Sequence, residues 1–440
     1  MSDAPFGSQQ ANATPVRPGD RIAVVGGGIA GLSAAWLLAP NHRVTLFESA
    51  AYFGGHANTV DVTIGNVTHP VDTGFLVFNE ITYPNLVKLF AALRTEVYAS
   101  EMSFSVSIER PDVEWCGTSL STVFAQFRNL ARPAFWGMLR DILRFNRNAP
   151  VYLEQARVNP RTLGELLDAE GFGAPVRDWY LLPMAAAIWS ASFETILDFP
   201  AETFLAFCIN HRLLQVENRP QWKTVQGGSR SYVETMIAAI PDARRSCPVF
   251  QVRRTQGGVE VTSRSGIENF DHIVMACHPP TTLKILDATE REAAVLSHFR
   301  YQQNLAILHA DAALLPRREN TWAAWNYMSP TAVGRHRPVS VSYLLNQLQD
   351  LPFRTPLVLT LNPYRAPHRS SVIGRFSYEH PVLDTEATAA QPLIPTIQGG
   401  NRAWFCGAWG GYGFHEDGLK SSLRMLRVMG VMPPWQAVYD

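Results

Sequence analysis

Residues 21–49 read RIAVVGGGIAGLSAAWLLAPNHRVTLFES, and the order of parts in this stretch decides the fold. Ile22 to Val25 is a short apolar run rich in β-branched residues, which predicts a buried strand. Gly26, Gly28 and Gly31 follow in G-x-G-x-x-G spacing, and the residues up to Ala39 predict a helix that stops before Pro40. Val44 to Phe47 predicts a second strand, closed by Glu48 twenty residues after Gly28. Gly26 makes the tight turn, Gly28 lets the backbone approach a pyrophosphate, and Gly31 lets the helix pack on the strand. The helix start, with Ile29 and Ala30, offers unpaired N–H groups and a positive dipole end to phosphates. Glu48 is placed for the hydroxyls of an adenosine ribose. A lone glycine motif is weak, but the whole strand–turn–helix–strand–acid unit predicts a bound dinucleotide.

The next stretch, AYFGGHANTV, places the pair Gly54 and Gly55 just after the acid. Near the other end, residues 403–424 read AWFCGAWGGYGFHEDGLKSSLR, a strand running into a glycine turn and then a helix. Together these motifs resemble the FAD-binding signature of the flavin-containing amine oxidase and phytoene desaturase superfamily, in its bacterial branch of predicted FAD-binding proteins associated with fatty acyl modification. The resemblance implies FAD as cofactor. It also implies an α/β fold, in which a Rossmann-type FAD-binding domain carries an inserted mixed α+β substrate-binding domain. Residues 21–79, 221–298 and 385–440 would form the FAD domain, with 80–220 and 299–384 as the substrate domain. By the same resemblance Gly74 and Phe75, in VDTGFLVF, pass close to the flavin ring, and the backbone of Val252 contacts the adenine. Gly407, Glu416, Asp417 and Gly418 belong to the closing motif. There the helix, expected to open at Gly418, aims its N-terminus at the N1–C2 edge of the ring, where its partial positive charge stabilises reduced flavin. Three departures from the pattern stand out. His56 stands where many relatives carry an arginine on the pyrophosphate, and Trp409 where many carry an acid. No lysine lies near Asn304, where amine-oxidising relatives usually place one.

Charged residues are sparse, and 38 basic against 38 acidic side chains give no net charge. That argues against general nucleic-acid binding. Five scattered cysteines without a C-x-x-C pair suit a reducing compartment and give no structural metal site. Residues 1–20 have neither a basic start nor an apolar core and predict a disordered leader. With no apolar run long enough to span a bilayer, the expected location is the cytoplasm, with possible contact at the inner face of the membrane.

That contact rests on Phe124 to Arg147, where Arg128, Arg132, Arg140, Arg144 and Arg147 interleave with aromatic and aliphatic residues. Such a basic amphipathic segment either lies in a membrane interface or packs its apolar side on the substrate domain. The apolar runs Trp179–Phe193 and Phe204–Ile209 either line a greasy cavity or form plain core. His309, Tyr327 and Asn346 are polar groups in otherwise apolar strands and are pocket candidates; a lone histidine such as His309 is more often structural. Trp409 and Tyr412 are placed to sandwich a substrate over the ring. Cys406 lies within a strand, which argues against covalent flavin attachment. No residue stands out as the proton acceptor.

These features predict a flavin oxidoreductase that takes hydride from a hydrophobic substrate, with oxygen reoxidising the flavin. The implied substrate is an unsaturated or methylated fatty acyl chain of a phospholipid, which would be desaturated. Amine oxidation, flavin-dependent double-bond isomerisation and a lipid-binding escort without chemistry remain alternatives, and the sequence does not set the oligomeric state.

Overall fold

The strands Arg21–Val25, Arg43–Phe47 and His272–Met275 are buried along nearly their whole length, with no alternation of faces. That pattern belongs to a parallel sheet covered on both sides. The structure, a computed structural model, describes residues 13–215, 219–331 and 339–439. In it these strands form a five-stranded parallel sheet in the order 242–244, 43–47, 21–25, 272–275 and 403–405. An antiparallel meander, 249–254, 259–263 and 266–270, leads into the fourth of them.

Helix α1 (Ile29–Leu38) is buried on all sides except at Trp36, because it is sandwiched between the sheet and other helices. Helix α2 (Pro84–Leu93) starts on a proline and ends on Arg94 in the left-handed region, at φ 56°. Its stripe of Leu86, Leu89 and Phe90 is buried in the core around Ile22 and Val24. Burial of such side chains is worth roughly 1.5–3 kcal/mol each, so α2 is held to the nucleotide-binding unit. Helix α2 thus shares that core although it follows residue 80, where the insertion is expected to start.

The second unit is built on a seven-stranded mixed sheet in the order 372–382, 300–309, 358–361, 340–344, 325–329, 104–108 and 113–116. Helices α3 (Pro133–Val158) and α4 (Ala201–Asn210) pack on one another and share its core. Residues 345–348, around Asn346, expected in an apolar strand, form a single helical turn. A small sheet of 78–79, 222–225 and 97–100 bridges the units. Helices α5 (Arg230–Ala238) and α6 (His415–Val428) return the chain to the first unit.

Residues 1–12 of the expected leader lie outside the described residues. Residues 13–20 do not behave as a disordered leader. Ala13 bridges to Gly400, the Thr14 N–H donates to the Gly399 carbonyl at 3.0 Å, and Val16 packs on the sheet core.

Candidate active site

A cavity of about 570 Å³ opens at the carboxyl ends of the parallel strands and runs into the second unit. Gly26 turns the chain there at φ +113°, and a Cβ on it would lie 2.8 Å from the Ala276 carbonyl oxygen. A Cβ on Gly31 would lie 1.8 Å from the Gly26 carbonyl oxygen, so this glycine serves helix–strand packing. Gly28 differs from both. Its φ is −75°, and nothing lies within 4 Å of where its Cβ would be. The space in front of it is the cavity, and the first turn of α1, Ile29 and Ala30, lines the same wall. Glu48 lies beside it, its carboxylate accepting from the Gly27 N–H at 2.7 Å and the Ala50 N–H at 2.6 Å. Gly54 and Gly55, at φ 118° and 60°, complete this wall.

Helices α1 and α6 cross with the Ser33 and Ser422 hydroxyls 2.6 Å apart, and both start at the cavity. Helix α6 begins at His415, three residues before Gly418. The reason is local: the Asp417 carboxylate accepts from the Phe414 N–H at 3.0 Å and caps the first turn. His415 therefore occupies the mouth of the helix. Its ring stacks on Phe75 at 4.1 Å, and its Nε2 lies 2.6 Å from the Tyr232 hydroxyl, which sits behind the cavity wall. Burial lowers the His415 pKa to about 3 and raises that of Tyr232 well above the phenol value. Both groups are therefore neutral, and they share one short hydrogen bond whose direction follows the imidazole tautomer.

The other half of the cavity is aromatic. Phe207 stacks on His211 at 3.9 Å and Phe414 at 5.1 Å, and meets Tyr412 at 5.4 Å and Trp189 at 4.6 Å. Tyr343, Leu359 and Leu361 extend this lining. No lysine or arginine is among the described residues that line the cavity. Its two carboxylates are Glu48 and Glu379, and Glu379 is engaged by His278 Nδ1 at 2.8 Å. His56 lies against Tyr378 at 5.1 Å and His380 at 5.2 Å. Burial pushes His56 well below the usual imidazole range and His380 to about 4.

Residues 29–308 match the family of flavin containing amine oxidoreductases. The chain belongs to that family. No curated protein sequence matches it significantly. Among solved structures, a CLA-producing fatty acid isomerase from P. acnes superposes with a TM-score of 0.66 at 14% identity, covering 94% of this chain and 99% of that one. A putrescine oxidase bound to putrescine gives a TM-score of 0.64 at 14% identity, over 93% and 98% of the two chains. Cyclohexylamine oxidase from Brevibacterium oxydans gives 0.63 at 14%, over 94% and 100%. At this identity the likeness is one of fold.

This member of the flavin containing amine oxidoreductase family is an FAD enzyme, and its residues fit the group. The open Cα of Gly28 and the first-turn N–H groups of Ile29 and Ala30 would hold the pyrophosphate. Glu48 would hold the adenosine ribose. Gly407 and His56 also line the cavity. Gly74 and Phe75 do too, but the glycine is demanded by packing: a Cβ on Gly74 would lie 2.1 Å from the His56 carbonyl oxygen. Val252 is not at the cavity. It is fully buried, its carbonyl accepts from the Asp287 N–H at 3.1 Å, and Cys247, Pro248 and Val249 line the wall instead.

In the closing motif, the Glu416 carboxylate turns away from the cavity. It accepts from the Asn85 and Leu86 N–H groups at 3.0 and 2.9 Å, capping α2. Asp417 is spent on its own helix, and Gly418 on packing, since its Cβ would meet Ile29 at 2.7 Å.

Three of the five pocket candidates are structural. His309 uses Nε2 on the Thr360 hydroxyl at 2.8 Å and Nδ1 on the Asp311 N–H at 3.1 Å. Asn346 clamps the 353–357 loop, accepting from the Leu357 N–H at 2.6 Å. Tyr327 is fully buried against Phe193. Tyr412 and Trp409 both line the cavity but do not face one another as a sandwich, because Trp409 packs on Phe299 at 4.6 Å within the parallel-sheet core. Cys406 is buried and away from the cavity. Sequence reasoning missed His415, Tyr232 and Phe414, whereas Phe207 lies in the Phe204–Ile209 run read as either cavity lining or core. The acid three residues after Phe414 is a capping signal that would have moved the helix start and brought His415 forward.

Proposed function

We propose that this flavin oxidoreductase removes two hydrogens from an uncharged hydrophobic chain. Its specific substrate is an unsaturated or methylated fatty acyl chain of a phospholipid, with oxygen as the electron acceptor. The observation that carries this reading is the aromatic cavity without a lysine or arginine among its described lining residues. A free carboxylate drawn into such a place would lose its hydration with no counter-charge, at a cost of several kcal/mol. An esterified chain whose head group stays outside meets no such cost.

Bound FAD supplies the capacity to accept two electrons and hydrogen. The chain supplies the rest. Phe207, Tyr412 and Phe414 exclude water, the α6 N-terminus presents positive potential, and His415 holds a neutral imidazole at the helix mouth. The test is anaerobic mixing with phospholipid: loss of the oxidised flavin colour supports the reading, and retention of colour with every lipid sinks it.

Double-bond isomerisation in the same kind of chain is the second reading, favoured by the fold shared with the fatty acid isomerase. It predicts altered lipid without oxygen consumption. Amine oxidation draws support from the Phe207–Tyr412–Phe414 cluster, which suits a cation over aromatic faces. Against it, both carboxylates among the described lining residues are already engaged, Glu48 by backbone N–H groups and Glu379 by His278. A lipid escort would be colourless.

A further inference from the structure

Helix α3 has two apolar faces, and only one is used. Phe135, Met138, Phe145, Ala149 and Tyr152 point inward and are buried in the substrate-unit core. On the opposite side Trp136, Leu143 and Val151 are 49%, 60% and 56% exposed. The turn before the helix adds Leu120 at 79%, Phe127 at 83% and Leu130 at 49% exposure. That turn is fastened to the helix, since Trp136 Nε1 donates to the Leu130 carbonyl at 2.9 Å and Phe124 lies 5.2 Å from the Trp136 ring.

The arginines divide in the same way. Arg128 and Arg132 are tied to Asp112, and Arg144 donates to the Glu170 carbonyl at 2.8 Å and lies 3.9 Å over Phe172. Arg140, whose side chain is 78% exposed although its guanidinium also reaches the largely buried Asp141 carboxylate at 3.3 Å, and Arg147 point outward. At 3.6 residues per turn, positions 136, 140, 143, 147 and 151 fall within about 80° of one another. The exposed positions of α3 carry no carboxylate before Glu154, which is paired with Arg157 at 2.6 Å.

We infer that this outer face docks on the surface of an anionic lipid bilayer. Exposed aromatic and aliphatic side chains enter the acyl boundary, and Arg140 and Arg147 lie among the phosphates. The face is positively charged and apolar at once, with no acid to oppose an anionic partner. Its apolar residues outnumber its outward arginines, so insertion dominates and charge adds selectivity. This docking goes beyond the proposed reaction and would stand whichever chemistry the cavity performs.

The test is co-sedimentation of the full FAD-loaded chain with vesicles of phosphatidylcholine alone and of phosphatidylcholine mixed with phosphatidylglycerol. The wild type is expected to pellet with the mixed vesicles. The double variant Phe127→Ser, Leu143→Ser should lose binding by about tenfold or more. Arg140→Gln with Arg147→Gln should reduce binding to the level seen with phosphatidylcholine alone. All four positions are exposed, and an unchanged flavin spectrum confirms folding of each variant. Wild-type protein left in the supernatant with mixed vesicles overturns the inference, as does undiminished binding of the serine variant. A dimer by light scattering that the serine variant converts to monomer would assign the face to a second copy instead.

Discussion

Gly28 and Gly31 belong to one motif, yet they answer to different constraints, and substitution separates them. Gly31→Ala drives a Cβ into the Gly26 carbonyl and is expected to cost about 3 kcal/mol or more. Gly28→Ala meets no protein atom, so melting of the flavin-free protein should change by less than about 1 kcal/mol. Flavin affinity, measured by fluorescence on reconstitution, should nevertheless fall at least about tenfold. Unchanged affinity would mean that the pyrophosphate lies elsewhere. Glu48→Ala should likewise lower flavin occupancy, and full occupancy would remove its ribose role. Buried imidazoles set a second expectation at this scale. Unfolded histidine binds a proton below about 6.5, whereas burial holds His211, His309 and His380 to about 4 and His415 to about 3. Between those limits the unfolded chain binds more protons, so stability is lost as pH falls, by up to roughly 3 kcal/mol for a shift of this size. Asp417 opposes this, since burial raises its pKa to about 6 and the folded state takes up its proton first. A melting temperature that stays level from pH 7.5 to pH 5 would contradict neutral burial of the imidazoles.

Helix α6 does three jobs at once, and the closing motif showed only one of them. Its N-terminus faces the cavity, Gly418 lets it press on α1, and Glu416 caps α2 from outside. The last is needed because Tyr83, at the α2 N-cap, supplies no side-chain acceptor. Glu416→Gln should therefore cost about 1.5–3 kcal/mol in thermal unfolding, as expected for hydrogen bonds to a charged group. Flavin content should not change; a loss of flavin at full stability would return Glu416 to the cofactor site. The glycine turn, α1 and Glu48 were legible in the sequence because their contacts are local and their spacing is rigid. The roles of Glu416 and Val252 were not, because each depends on a partner far along the chain. His309 and Asn346 looked like pocket residues for the same reason. A polar group in an apolar strand reads alike whether it faces a ligand or satisfies a loop, and only the fold supplies Thr360 or Leu357 as its partner.

At the scale of the molecule, the two units meet along the cavity, so a cofactor and a substrate would share one space. The parallel sheet contributes backbone and glycine, and the mixed sheet with α4 contributes aromatic surface. The sequence shows a change between short apolar strands and helical spacing after residue 80. Helix α2 lies early in the expected insertion but packs with the nucleotide-binding core, a contact that periodicity cannot assign. No helix among the described residues is long and apolar enough to cross a membrane. The decisive measurement is an anaerobic titration of purified protein with phospholipid, followed at ~450 nm, where bound oxidised flavin absorbs. Bleaching by phospholipid, with oxygen uptake once air is admitted, is the predicted result. Bleaching by amines alone, or a colour that no lipid removes, would contradict the acyl-chain assignment.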